Sequence, residues 1–183
     1  MVLASASPRR QELLKVVWPH PFTVSPQDID ETPLAREKPA DYVRRVTLAK
    51  AASAAEQHGQ EVVLASDTVV ACGRRILRKA PDRAEAAQQI ALLSGRRHHV
   101  LTGVAVIKPG CVKPLYRLAQ VHVTVAQLSP AQIQRFLDSG EWQGVAVYRL
   151  QGLFGSFVKS LRGQPSAVLG LPLYETSRLL GIC

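Results

Sequence analysis

The sequence predicts a mixed α/β fold: a partly antiparallel, twisted sheet with flanking helices, formed by one domain over residues 1–183. Three observations predict it. Helical and extended segments alternate along the chain and do not segregate. Hairpin signals such as Gly73-Arg74 join extended segments, which argues against a doubly wound parallel sheet. Hydrophobic residues make up 46% of 183, enough for a substantial core.

The chain opens on an apolar stretch, Val2-Leu3-Ala4, which reads as a strand. Ser7 then stands as an N-cap and Pro8 as a first helical residue, with the helix continuing through Val17. Residues 18–39 are Pro-rich and partly extended, and include the acidic cluster Asp28-Ile29-Asp30-Glu31. A long helix is expected from Pro39 to Gln57, stopped by Gly59. Val62–Ala65 and Val69–Ala71 read as a buried strand interrupted by Ser66-Asp67-Thr68, and Gly73-Arg74 turns it into Ile76-Leu77.

Asp82 and Glu85 have capping-box spacing for a helix to Leu93, ended by Gly95. Val100–Ile107 and Leu115–Val125 read as strands, the second with Val121, Val123 and Val125 on one face. Ser129 and Gln132 cap a helix to about Asp138, stopped by Gly140. Strands are expected at about 145–150 and 154–160, and a last helix at about 173–180.

Composition narrows the function classes. No apolar run approaches the roughly 18–20 residues that span a membrane, and no signal-peptide layout is present, so the expected compartment is the cytoplasm. Cys72, Cys111 and Cys183 form no CxxC pair and no metal-ligand spacing, which fits reduced thiols. The net charge of +9 permits nucleic-acid binding, yet the basic residues come as scattered pairs without a basic stripe. A polyanionic small substrate accounts for part of the excess. Neither GxGxxG nor a Walker A motif occurs.

Some residues point to chemistry. Arg9 and Arg10 occupy the first turn of a helix, where the dipole is already positive. With the Ser7 hydroxyl and backbone N–H groups they would converge on a phosphate; an ordinary exposed Arg pair is the alternative. Asp67 lies inside an apolar strand, and a buried carboxylate is costly unless paired or metal-bound. It is a candidate general base or metal ligand, or else a strand-end cap. Lys50 follows Val43 and Val46 on an apolar helix face, where it needs an anionic partner or snorkels to the rim. Lys79 sits in a loop that can reach a cleft, and the Asp28–Glu31 cluster is either a help to a divalent cation or a solvated loop. His98, His99 and His122 lack a third ligand and read as structural or surface.

Taken as an ordered set, these residues resemble the Maf family of nucleoside triphosphate pyrophosphatases. The resemblance runs from Leu3-Ala4-Ser5-Ala6-Ser7-Pro8-Arg9-Arg10 through Ile29-Asp30-Glu31, Leu48-Ala49-Lys50-Ala51 and Ser66-Asp67-Thr68-Val69-Val70. It continues with Ile76-Leu77-Arg78-Lys79, Leu93-Ser94-Gly95-Arg96, Thr102-Gly103-Val104, Leu150-Gln151-Gly152 and Val168-Leu169-Gly170-Leu171-Pro172. It implies a two-lobed, Maf/ITPase-like fold around a central cleft. It also implies metal-dependent hydrolysis of a nucleoside triphosphate to the monophosphate and pyrophosphate, with Mg²⁺ or Mn²⁺. By resemblance, Asp67 is the general base and meets the metal, supported by Glu31; Ser7, Arg9, Arg10, Lys50 and Lys79 hold the phosphates.

Arg9, Thr68 and Gln151 match the subgroup that prefers dTTP and UTP over the one that prefers 7-methyl-GTP; modified pyrimidine nucleotides are a further candidate class. Two segments depart from the family pattern. Lys-Ala-Gly-x-Tyr is replaced by a shorter Val145-Ala146-Val147-Tyr148, and Gly-Lys-Pro by Arg78-Lys79-Ala80. The expected partner is the nucleotide, with a homodimer plausible and neither membrane nor nucleic acid expected. A regulator of cell division that binds nucleotide or nucleic acid without turnover is the competing reading.

Overall fold

The computed structural model describes residues 1–111 and 113–182; of the three cysteines, Cys183 lies outside them. In chain order the elements are β1 (Val2–Leu3), α1 (Pro8–Val17), β2 (Thr23–Val24), α2 (Pro39–Gln57), β3 (Val63–Cys72), β4 (Arg75–Leu77) and α3 (Arg83–Leu93). Then follow β5 (Arg97–Ile107), β6 (Leu115–Val125), α4 (Pro130–Asp138), a 3₁₀ turn (Leu153–Phe157), β7 (Val158–Arg162), α5 (Pro165–Val168) and α6 (Leu173–Leu180). The seven strands form one mixed sheet in the order β2-β1-β3-β5-β6-β7, with β4 paired to β3. β1 runs parallel to β2 and β3, while β4, β5, β6 and β7 pair antiparallel to their neighbours.

β3 organises the molecule. It pairs with β5 without interruption from Val63 to Ala71, with Asp67 opposite Gly103. The break expected at Ser66-Asp67-Thr68 is therefore absent. The ladder to β5 runs through these residues, and the three polar side chains find polar partners on either face. On its other edge β3 meets β1 only at Val63 and Leu64, and β4 only at Val70–Cys72. Among the described residues, no strand covers Ala65–Val69 on that side. β1 points toward this notch from one end, and β4, running antiparallel, points toward it from the other. Each strand therefore delivers its following loop, Ser5–Ser7 or Arg78–Lys79, to the neighbourhood of Asp67. Strands that leave a shared neighbour in this way open a crevice.

The apolar core divides at the same place, giving the two lobes. Val70, Leu77, Ile90, Val100, Val121, Val123, Phe136 and Phe154 pack together on one side. Leu3, Leu14, Leu64, Val104 and Leu171, with Val2, Ala51, Val63 and Ala105, make smaller clusters on the other. The burial of Val121, Val123 and Val125 follows the predicted face of β6.

Capping is uneven. Ser129 and Gln132 form the full reciprocal box at α4. At α3 the Asp82 carboxylate accepts from the Glu85 N–H, but the Glu85 carboxylate takes the Gln89 amide instead of closing the box. Ser7 occupies the N-cap of α1 and Pro8 its first turn, yet the Ser7 side chain makes no capping bond.

The segment between α4 and β7 departs most from the sequence reading. The strand expected at 145–150 does not form, because Gly144 and Val147 both adopt left-handed backbone, with φ of 71° at each. For a β-branched residue that conformation is unfavourable. Val147 is buried, so its side chain is held inside while its backbone reverses the chain. Leu153–Phe157 winds into the 3₁₀ turn, its Leu153 N–H donating to Glu141 Oε2 at 2.7 Å, so β7 begins at 158 and not at 154. β2 and α5, both short, carried no periodic signal.

Gly103 is a close approach and not a turn. A methyl group there would stand 2.5 Å from Thr47 Oγ1 and 3.0 Å from the Tyr116 hydroxyl. Thr47 is buried on α2 and donates to the Val43 carbonyl at 2.6 Å, so it cannot yield freely. Gly103→Ala is expected to destabilise the fold by about 1–3 kcal/mol, as overpacking does. At about 2–4 °C per kcal/mol for a chain of this size, a thermal melt resolves it. An unchanged Tm would mean that α2 shifts away from β5 at no cost.

Candidate active site

The notch in the sheet opens into a cleft of about 1300 Å³. Strand alternation divides the polar residues of β3 between its two faces. Asp67 points toward α2, whereas Ser66 and Thr68 point toward the 165–170 segment. Ser66 Oγ lies 2.8 Å from the Gly103 carbonyl and 2.9 Å from that of Gly170. Thr102 Oγ lies 3.1 Å from Thr68 Oγ1 and 2.7 Å from the Ala167 carbonyl.

On the α2 side, Lys50 and Asp67 are both buried. Helical spacing from Val43 and Val46 puts Lys50 on the apolar face, and of the two alternatives open there its ammonium takes the inward one, with anionic partners. Lys50 Nζ is 2.6 Å from Asp67 Oδ1 and 2.6 Å from Glu31 Oε1. Glu31 comes from the irregular segment before α2. It is held there by the Tyr42 hydroxyl donating to its carbonyl at 3.0 Å, and by Arg45, which reaches both the Thr32 carbonyl and the Glu37 carboxylate. Arg45 in turn draws the Glu37 carboxyl below its ordinary value. Burial, reinforced by the negative charges of Asp67 and Glu31, pushes the Tyr42 phenol up to about 12, so it remains a donor.

Arg10 faces the other way. Its Nε donates to the Gly170 carbonyl at 2.9 Å, Nη1 to Ser5 Oγ at 3.0 Å and Nη2 to Thr68 Oγ1 at 3.3 Å. Burial lowers its pKa while Asp67 and Glu31 oppose the shift; a guanidinium nonetheless stays charged. These bonds use three of its donors and tie the β1–α1 loop to β3 and to the 165–170 segment. Arg9, one residue earlier, has no hydrogen-bond or ion-pair partner among the described residues, nor has the exposed Lys79.

The nine residues that the resemblance assigns to the site all line this cleft: Ser7, Arg9, Arg10, Glu31, Lys50, Asp67, Thr68, Lys79 and Gln151. The Ser7 hydroxyl makes no bond among the described residues, and the Ser7 backbone N–H donates to Ser5 Oγ at 3.3 Å. Gln151 is exposed on the cleft wall with its amide unpartnered among the described residues. The sequence reading missed Tyr42 and Ser5 as members of the site. Tyr42 was legible in principle, since it lies eight residues before Lys50 on one helical face. Nothing local marks Ser5, whose partner is a side chain that folding brings back. Asp28 and Asp30 take no part in the carboxylate pair; Asp30 Oδ1 accepts from the Thr32 N–H at 2.8 Å.

The donor set fits a hard divalent cation carried by a phosphate ligand. No group of three or more His, Cys, Asp or Glu able to hold a metal occurs among the described residues. Asp67 and Glu31 nevertheless converge on one point, as their common partner Lys50 shows. Mg²⁺ is commonly held by one or two carboxylates together with substrate phosphates and water.

A family profile described as Maf-like protein matches residues 1–182. Among curated proteins, the dTTP/UTP pyrophosphatase of Zymomonas mobilis is 49% identical over 98% of this chain and 89% of its own length. Those of Paramagnetospirillum magneticum and Caulobacter vibrioides are 47% and 49% identical, each over 98% of this chain and over 95% and 93% of their own lengths. Among solved structures, the Ham1 protein of Staphylococcus aureus aligns over 68% of this chain and 71% of its own, at 17% identity and a TM-score of 0.47. No helix of the described residues is long and apolar enough to cross a membrane.

Proposed function

The chain belongs to the Maf-like protein family, and from that premise we propose that it is a nucleoside triphosphate pyrophosphatase acting on dTTP and UTP. The nucleotide is split between its α and β phosphates to give the monophosphate and pyrophosphate. The observation that carries this reading is the buried Asp67–Lys50 pair, joined by the exposed carboxylate of Glu31, in a cleft also lined by Arg9 and Lys79, cations without a partner among the described residues.

In this reading Asp67 accepts the proton of the attacking water, and its fixed place on the central strand orients that water. Asp67 and Glu31 would hold Mg²⁺ or Mn²⁺, which supplies positive charge against the phosphate oxygens. Arg9, Lys79 and the remaining donors of Arg10 bind the triphosphate and stabilise the charge that builds on the leaving pyrophosphate, with Ser7 beside them. Phosphoryl chemistry asks mainly for such positioning and charge. Gln151 offers both a donor and an acceptor, the complement of a uracil or thymine edge, with Arg9 and Thr68 alongside. The whole chain acts as one domain, in the cytoplasm.

Pyrophosphate release tests the reading with dTTP, UTP, CTP, GTP, ATP and 7-methyl-GTP, with Mg²⁺ or Mn²⁺ and with chelator. Metal-dependent turnover that favours dTTP and UTP is expected. Gln151→Glu, run over the same panel, is expected to change the order of preference while pyrophosphate is still released. Unchanged relative rates would remove Gln151 as a base reader. Preference for 7-methyl-GTP would reassign the substrate, and no turnover of any nucleotide by the folded chain would overturn the enzymatic reading.

A further inference from the structure

Lys50 occupies the place that a cation shared by the two carboxylates would take. Its Nζ lies 2.6 Å from Asp67 Oδ1 and 2.6 Å from Glu31 Oε1. One ammonium neutralises only one of the two negative charges, so the group still favours a dication. A dication bound by the same oxygens at its usual distance of about 2.0–2.6 Å would stand almost on the ammonium. Two positive centres that close repel strongly in a partly buried site. The ammonium and the metal therefore exclude each other at this point.

The ammonium has somewhere to go. Lys50 lines the cleft, as do Arg9 and Lys79. Its four-carbon stem is flexible, and a triphosphate in the cleft carries more negative charge than the carboxylate pair. We propose that Lys50 keeps the metal position closed in the nucleotide-free protein, and that an arriving triphosphate draws its ammonium away and opens the position. Metal and nucleotide then bind with positive linkage, each raising the affinity for the other by the same factor. The device protects the free enzyme in two ways. Asp67 never stands buried without a counter-charge, and the hydrolytic centre is complete only when substrate is present. This inference rests on the pyrophosphatase reading above, since it takes the triphosphate as the anion that moves Lys50.

The test is Mn²⁺ binding to nucleotide-free protein, followed by electron paramagnetic resonance of the unbound ion. Lys50→Met removes the competing charge and is expected to tighten Mn²⁺ binding at least about tenfold, although the same change lowers turnover. The double variant Lys50→Met with Asp67→Asn is expected to lose that gain. Lys50→Gln keeps an amide donor between the carboxylates without the charge, and serves in the same way if Lys50→Met does not fold. Mn²⁺ affinity that is unchanged or weaker in the folded Lys50 variant overturns the inference. So does a gain that survives the loss of Asp67. Pyrophosphate release by the wild-type chain from the same preparation separates the two failures. If it persists while the Mn²⁺ result fails, only the Lys50 device is wrong; if it is absent, the activity reading falls and takes the device with it.

Discussion

Asparagine in place of Asp67 is expected to lower kcat for dTTP by at least about 100-fold, the cost of losing a general base or a metal-bearing carboxylate. The side chain keeps its shape and loses its charge and its capacity to take a proton. Lys50 retains Glu31 as a partner at 2.6 Å, and β3 keeps its ladder to β5, so the fold is expected to stand. A buried ammonium with one carboxylate instead of two is still compensated. The measurement is turnover at saturating nucleotide and metal, beside a thermal melt of the same sample. If the loss lies in kcat, Asp67 acts on the transition state; if it lies wholly in KM, Asp67 only binds. Near-normal turnover by a folded variant would remove Asp67 from the mechanism.

Acid is expected to weaken the fold through His98. This residue is fully buried on β5, with Nε2 2.6 Å from the Tyr148 hydroxyl and Nδ1 without a partner among the described residues. Burial lowers its pKa to about 4, and the neighbouring His99 adds to the effect. In the unfolded chain the same imidazole titrates near 6.5. The unfolded state therefore takes up the proton first. The stability that goes with a neutral His98 is complete above about pH 6.5, declines as pH falls toward 4, and is lost below. The difference between the two pKa values corresponds to about 3 kcal/mol across that window.

His98 also bears on the cleft, because its partner Tyr148 stacks on Phe154 with ring centroids 4.1 Å apart and itself lines the cleft wall. Urea unfolding of the wild type and of His98→Asn at pH 7 and pH 4.5 checks this. Asparagine keeps a polar partner for Tyr148 without the titration, so it should lose less stability between the two pH values. Parallel losses would assign the acid sensitivity to other groups. His99, whose pKa burial also lowers with help from His122 and Arg97, is present in both proteins and cancels from the comparison.

The helices were the most legible part of the fold, for local reasons. α2, α4 and α6 carry the apolar spacing of a half-buried helix, and α1 and α4 begin at a Ser-Pro pair, which favours a helix start. Helical periodicity places Lys50 on the apolar face, while the choice between an inward ammonium with an anionic partner and one that snorkels to the rim is decided only by Asp67 and Glu31. Asp67 stood out because a carboxylate amid Val and Ala demands compensation. The identity of that compensation was not legible, since its counter-charge, Lys50, lies 17 residues away in the chain.

Short elements and reversals escaped for the opposite reason. β2 is two residues long and exists because β1 offers it an edge. The run Val145-Ala146-Val147-Tyr148 has the composition of a strand, yet burial of Val147 and Tyr148 against the Phe154 core overrides that preference and forces a left-handed turn. Arg10 was read as a phosphate ligand with Arg9, while the folded chain sets much of its guanidinium to holding three backbone segments together.

What could be settled locally was therefore the longer helices, the long strands, and the residue types able to perform phosphoryl chemistry. Those follow from periodicity, caps and the cost of burying charge, all of which act within a few residues. Folding alone decided that β1 and β4 stop short of each other along β3. That gap brings the loops after them, the far-off Glu31 and the tip of Lys50 to one carboxylate, because each strand had to find its pairing partner before the space between them could exist.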